Sequence, residues 1–244
     1  MTWTPVGCEP GRRPALRSVA DFLRAESDLV RDWITQRNAR LAGFCVLAVI
    51  GGAGAYGAAM GSWREPVQAL YTGVKLPLAI LLTTLGNGLL NGMLAPLLGL
   101  NVTLRQSLAL VLFGFAITSL ILGALSPVAW FVVWNTPPLN PGTQLSSPEY
   151  GFLQLTLAVF VGAAGVTGCV RLWPLLCQWA GSAHVAGNVL GAWLLTNLFL
   201  GSQVCWVLRP FLWDPAGPPR FIGREFLRGS FFETLAAAAW RLIP

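Results

Sequence analysis

Charged side chains are scarce in this sequence and unevenly placed. Of its 244 residues, 11% are Asp, Glu, Lys or Arg, where about a quarter is usual for a soluble domain. Between residues 41 and 208 the charged residues are Arg64, Glu65, Lys75, Arg105, Glu149 and Arg171. So few charges cannot form the wetted surface of a globule of this length, and the composition therefore excludes a soluble domain.

Residues that could form a catalytic or metal centre are also lacking. The sequence has one histidine, His184, and its five cysteines form no Cys-x-x-Cys pair, so we predict no metal site and no cofactor. Ser182 lies two residues from His184, which directs the two side chains to different sides of a helix, whereas serine chemistry needs them to face each other. The net charge of +6 is not concentrated on one element with stacking aromatics. We therefore predict neither an enzyme nor a nucleic-acid partner.

The sequence does contain five long apolar runs. They cover residues 41–61, 76–98, 107–134, 151–170 and 185–208, and none contains Asp, Glu, Lys or Arg. A helix needs about 20 apolar residues to cross the hydrocarbon core of a bilayer. Pro127 interrupts the third run, which indicates a kinked helix end or, as the alternative, a separate interfacial piece. The predicted fold is an all-α bundle of about five transmembrane helices, with the lipid bilayer as its first partner.

Segments rich in charge flank the five runs. Between residues 16 and 34, apolar residues recur at three- and four-residue spacing, which predicts an amphipathic helix. We expect it to lie on the membrane surface; docking of its apolar stripe onto the protein or a partner is the alternative. A proline-rich loop and a shorter amphipathic helix beginning at Phe231 are expected after the fifth run. The predicted organisation is thus an amphipathic segment at 1–40, a five-span domain at 41–208 and a C-terminal segment at 209–244.

The basic residues predict an orientation in the membrane. An N-terminus in the cytoplasm puts the seven Arg of the N-terminal segment, Arg105 and Arg171 inside, against Arg64 and Lys75 outside. The positive-inside rule then favours a cytoplasmic N-terminus and, after five crossings, an external C-terminus, although five Arg in the C-terminal segment argue the other way. Because Arg greatly outnumbers Lys, we expect a bacterial protein of the inner (cytoplasmic) membrane.

Polar residues inside the second and fifth runs are the candidate functional residues. Thr83, Asn87 and Asn91 recur every four residues on one helix face, and Gly88 and Gly92 lie beside them. The corresponding residues of the fifth run are Gly187, Asn188, Gly191 and Asn197. Helix packing through small residues and interhelical hydrogen bonds explains both sets, and a polar path through the bundle is the alternative. The runs lack the carboxylate that ion-coupled carriers typically use.

Lys75 stands at the predicted start of the second span. Its long side chain is expected to reach the headgroups and contact lipid, and binding of an anionic lipid or substrate is the alternative. Ile80, further along the same run, is expected to face lipid.

Residues 86–125 combine a glycine-rich second span, a small loop and a polar segment, Thr103, Arg105, Gln106 and Ser107, which leads into the third span. This arrangement resembles the bacterial branch of the Yip family, the Ypt/Rab-interacting multispan membrane proteins. The resemblance covers about residues 74–125, and the remainder agrees in topology alone. It implies a small non-enzymatic helical bundle with a membrane-organising or accessory role in complexes. Rab binding is not implied, because the aspartate-containing cytoplasmic motif of the eukaryotic family is not evident.

The sequence therefore predicts a non-enzymatic integral membrane scaffold or accessory subunit. Its expected partners are further copies of itself, as a homo-oligomer, or other membrane proteins. The alternative is a permease or channel with a polar path lined by the second and fifth spans, through Asn87, Asn91, Asn188 and Asn197.

Overall fold

The computed structural model describes residues 30, 34, 39–137, 148–208, 221 and 231–240. Within these ranges the chain is almost entirely helical and contains no β-strand. Five helices are long and apolar enough to cross a membrane. The prediction of an all-α bundle with five spans is thereby confirmed.

The helices agree closely with the predicted spans, with one exception. In chain order they are α1 (Ala39–Gly61), α2 (Pro66–Leu97), α3 (Leu104–Asn135), α4 (Pro148–Val170), α5 (Trp173–Ala180), α6 (Ala183–Leu208) and α7 (Phe231–Trp240). The exception is α2, which begins at Pro66, well before the predicted start at residue 76. Helix α3 continues through Pro127 to its end, so the alternative of a separate interfacial piece is wrong.

Local sequence explains the tight connection between α2 and α3. Gly99 follows α2 with a φ of 90°, a left-handed conformation that suits glycine and ends the helix. At the start of α3, the Thr103 hydroxyl accepts a hydrogen bond from the Gln106 amide, and the Gln106 side chain accepts one from the Thr103 amide. This capping box satisfies two amide groups that have no partner within the helix. The short turn makes α2 and α3 antiparallel neighbours.

Helix α2 lies at the centre of the bundle and contacts α1, α3 and α6. Glycines bring α1 close to it: a Cβ atom on Gly57 would lie 2.6 Å from the Thr72 carbonyl oxygen, and one on Gly61 would lie 2.6 Å from the Gln68 carbonyl oxygen. Such distances allow only glycine, so the two backbones are in direct contact. Helix α3 packs against both α2 and α1 and also contacts α4.

The flanking segments lie mostly outside the described residues. Val30 and Ile34, from the predicted N-terminal amphipathic helix, are helical and 5% and 4% exposed. At these two positions the apolar stripe is covered by protein, as in the docking alternative to a helix on the membrane surface. Helix α7 forms in the region of the predicted C-terminal helix and packs on α4 and α6. Of the predicted proline-rich loop, the structure describes Phe221.

Candidate functional site

A chain of polar contacts joins three spans in the middle of the bundle. The Nδ2 atom of Asn87 on α2 donates a hydrogen bond to Oδ1 of Asn197 on α6. The Nδ2 atom of Asn197 in turn lies 3.2 Å from Sγ of Cys169 on α4 and donates to it. Amide groups in hydrocarbon need such partners, and interhelical bonds of this kind contribute about 0.6–2 kcal/mol each. The contacts tie α2, α6 and α4 together.

Asn91 is placed one turn further along the same face and is fully buried. Neither its Nδ2 nor its Oδ1 has a hydrogen-bond partner among the described residues, and the same holds for Nε1 of Trp193, also buried. Thr83 lies beside Gly201, and Asn87 beside Asn197, so α2 and α6 run antiparallel. That register brings Asn91 to the level of Trp193. A buried polar group without a hydrogen bond costs about 1–3 kcal/mol, so these atoms disfavour a dry contact between α2 and α6.

The two glycines beside the asparagines face a different helix. The Ser107 hydroxyl on α3 donates to the Gly88 carbonyl oxygen at 3.0 Å. A Cβ atom on Gly92 would lie 2.8 Å from Cδ1 of Leu104, so the first turns of α3 rest directly on the glycines. Neighbouring residues of a helix point about 100° apart, which separates the amide face toward α6 from the glycine face toward α3.

The candidate residues of α6 do not form one site. Asn188 is exposed, and its Nδ2 lies 3.4 Å from Nδ1 of His184 on the same helix. Asn197 is nine residues further along, which is close to half a turn away around the helix axis. Gly191 has no atom within 4 Å of an added Cβ, and Gly187 has only the Trp173 ring, at 3.8 Å. Asn188 and Asn87 therefore do not line one common path through the bundle.

Lys75 lies inside the protein. It is 3% exposed, and its Nζ lies 5.3 Å from the centroid of the Phe221 ring, in a cation–π arrangement. Tyr71, one turn earlier, meets the same ring edge to face. The ammonium group thus has protein neighbours where the sequence suggested lipid headgroups. The reason is the early start of α2, which places Lys75 within the helix and against the bundle.

Tyr56 and Gly168 join further spans, and the sequence does not show the partner of either. The Tyr56 hydroxyl on α1 donates to the Leu157 carbonyl oxygen on α4 at 2.9 Å, fully within the bundle. Gly168 on α4 packs on the backbone of Gly114 on α3. A lone Tyr or Gly in an apolar run gives no signal of its partner, because the partner lies on another span.

Potential metal ligands do not cluster in the described part of the chain. It contains no group of three or more His, Cys, Asp or Glu side chains that could hold a metal ion. Ser182 and His184 are both exposed at the start of α6. Comparison of the chain with protein-family models, with curated proteins and with solved structures finds no match.

Proposed function

We propose that this protein is a non-enzymatic scaffold or accessory subunit of a membrane complex. The observation that carries the proposal is the chain of contacts from Asn87 through Asn197 to Cys169. It uses the interior amides to hold spans together, which is a structural role. The proposal places the protein in a bacterial inner membrane with its N-terminus in the cytoplasm, as the distribution of Arg favours. The resemblance to the Yip family supports the same type of role.

One outer face of the bundle suits a neighbouring membrane helix. On α4, Gly162, Ala163, Val166 and Thr167 are all exposed. No atom lies within 4 Å of a Cβ added to Gly162. The Thr167 hydroxyl donates to the Ala163 carbonyl oxygen at 2.8 Å, so this face demands no polar partner. Small residues of this kind let two helices approach closely in lipid, where association depends on packing. The proposed partner is a second copy or another membrane protein.

A matched pair of variants tests the proposal. Gly162→Leu adds a bulky side chain to the proposed face, and Gly51→Leu makes the same change on α1, where Gly51 is also exposed with nothing within 4 Å of an added Cβ. Tagged protein is purified in mild detergent, and its oligomeric state and co-purifying membrane proteins are measured. We expect Gly162→Leu to lose the partner and Gly51→Leu to retain it. Monomeric wild-type protein without any bound membrane protein would contradict the proposal.

The alternative, a permease or channel, draws on a different observation. Asn91 and Trp193 bury polar side-chain atoms that have no hydrogen-bond partner among the described residues. A polar solute or water that passes between α2 and α6 would meet these atoms. Solute and ion flux into liposomes separates the two functions. Reproducible flux in the wild type that is lost in both Asn87→Leu and Asn91→Leu would replace the scaffold proposal with the permease. No flux would support the scaffold.

A further inference from the structure

An apolar groove lies among the first three spans. It occupies about 420 Å³ between the first turns of α1, the middle of α2 and the first turns of α3. Its wall includes Ile34 of the N-terminal segment together with Ala42, Val46, Leu85, Leu108 and Leu112. A volume of this size is within the roughly 300–1,000 Å³ of small-molecule sites.

Hydrocarbon suits the body of this groove. Among the residues that line it, Thr84 carries a hydroxyl, but that hydroxyl donates to the Ile80 carbonyl oxygen of its own helix at 2.7 Å. It therefore asks for no polar ligand. A polar solute in the groove would leave its own hydrogen bonds unmade, which is costly, whereas an alkyl chain would not.

The charge at one end of the groove is positive. Arg105, in the first turn of α3, lines the groove and is exposed. Helix α3 has 32 residues and is about 48 Å long, well beyond the ~30 Å of bilayer hydrocarbon. Its first turn therefore reaches the headgroup layer, while Leu112, two turns later, lies in the hydrocarbon. The groove thus runs from a headgroup-level guanidinium into the acyl-chain region.

We propose that this groove binds one acyl chain of an anionic phospholipid, with the lipid phosphate on Arg105. The planar guanidinium forms paired hydrogen bonds with phosphate oxygens, which gives geometric as well as charge recognition. In the proposed orientation this end of the bundle faces the cytoplasmic leaflet, where basic residues beside the membrane attract anionic lipid. The site is separate from the α4 face and from the polar contacts of α2.

Arg171 provides a matched control for Arg105. It is also exposed, and it follows the end of α4, so it stands at the same end of the bundle as the start of α3. It does not line the groove. General attraction of anionic lipid to basic residues would involve both arginines equally, whereas the proposed site involves Arg105 alone.

Native mass spectrometry of the full-length protein can measure lipid binding. The protein is titrated with phosphatidylglycerol and, separately, with phosphatidylcholine of the same acyl chains. We expect one phosphatidylglycerol to bind in preference to phosphatidylcholine. Arg105→Gln should lower that preference about fivefold, the size expected for one basic residue at an anionic surface, and Arg171→Gln should leave it unchanged. Ala109→Trp fills the groove and should abolish binding of the tightly bound lipid. If the Ala109→Trp protein does not fold, Ala42→Phe fills the groove from the opposite wall and should have the same effect.

Three results would overturn the proposal. Equal loss of preference in Arg105→Gln and Arg171→Gln would show general attraction to basic residues. Undiminished binding in a folded groove-filling variant would place the lipid elsewhere. Binding that appears only after removal of residues 1–29 would assign the groove to the N-terminal segment.

Discussion

Two asparagines of similar sequence context meet different surroundings. Asn87 is fully buried and bonded to Asn197, whereas Asn188 is exposed and reaches only His184 on its own helix. Both follow a glycine-rich pattern in an apolar run. The difference comes from helix rotation: Asn87 points into the α2–α6 contact and Asn188 points out of it. The residue type alone therefore does not identify which asparagine forms a hydrogen bond between spans.

This contrast gives a prediction at single-residue scale. Asn87→Leu removes the bond to Asn197 and leaves that amide with only its contact to Cys169, so the free energy of unfolding should fall by about 1 kcal/mol. Asn188→Leu removes an exposed contact within one helix and should change it by less than about 0.5 kcal/mol. Unfolding by SDS titration in detergent micelles measures both. Equal effects of the two substitutions would show that the Asn87–Asn197 bond contributes nothing.

Lys75 shows how burial depends on the neighbours of a residue. Gln68, Thr72 and Lys75 follow one another at helical spacing and are all buried. The Gln68 amide donates to the Thr72 hydroxyl at 3.2 Å, and the Thr72 hydroxyl donates to the Gln68 carbonyl oxygen at 2.8 Å. In the fold, Gln68 and Thr72 face the glycines of α1, whereas Lys75 faces Phe221.

At the scale of whole helices, α2 carries two separate contact faces. The Gly88 and Gly92 face supports α3, and the asparagine face supports α6. Ile80 belongs to the interior as well, because it is 9% exposed, although it was expected to face lipid. The outward face is instead marked by Met93, which is 70% exposed, and Leu97, which is 82% exposed.

The glycine face and the outward face of α2 predict different responses to leucine. Gly92→Leu would force Leu104 and the backbone of α3 away, and overpacking of this kind costs about 1–3 kcal/mol. Met93→Leu, at the adjacent exposed position, should be nearly neutral. Thermal aggregation in detergent compares the two proteins. Matching transition temperatures would mean that the glycine face is not a packed interface.

The N-terminal segment yields a second prediction about an element. Removal of residues 1–38 should leave a chain that inserts, because each span satisfies its own backbone hydrogen bonds. The truncated protein should nevertheless melt at a lower temperature, since Val30 and Ile34 are buried in the full chain. Ile34→Ala alone should cost about 2–5 kcal/mol if the segment packs as described. Full aggregation of the truncated protein in detergent would mean that the segment is part of the bundle core.

For the molecule as a whole, the sequence predicts the spans well and their contacts poorly. Four of the five helices agree with the apolar runs within a few residues, because the thickness of the bilayer sets the length of an apolar helix. The start of α2 was missed, since its first turns are polar on the side toward α1. Which residues meet across the bundle depends on the rotation and depth of each helix. Asn87 and Asn197 are 110 residues apart, and nothing in the sequence indicates that they form a pair.

The orientation of the whole molecule is a prediction that labelling can test. In a cysteine-free background, a membrane-impermeant reagent added to intact cells should label a cysteine at position 143 and spare one at position 18. The former lies in the connection between the third and fourth spans, and the latter in the N-terminal segment. Labelling of both positions in sealed cells would overturn the five-span arrangement with a cytoplasmic N-terminus, and the reverse pattern would invert it.

The contact between α2 and α6 has a consequence for biosynthesis. Spans enter the membrane in chain order, so α2 is in the bilayer before α6 has left the ribosome. Until then the Asn87 amide has no Asn197 oxygen to accept its hydrogen bond, and the face around Asn91 is not covered by α6. The nascent bundle is thus incomplete until α6 arrives. A chain that stops short of α6 exposes the Asn87 and Asn91 amides to lipid.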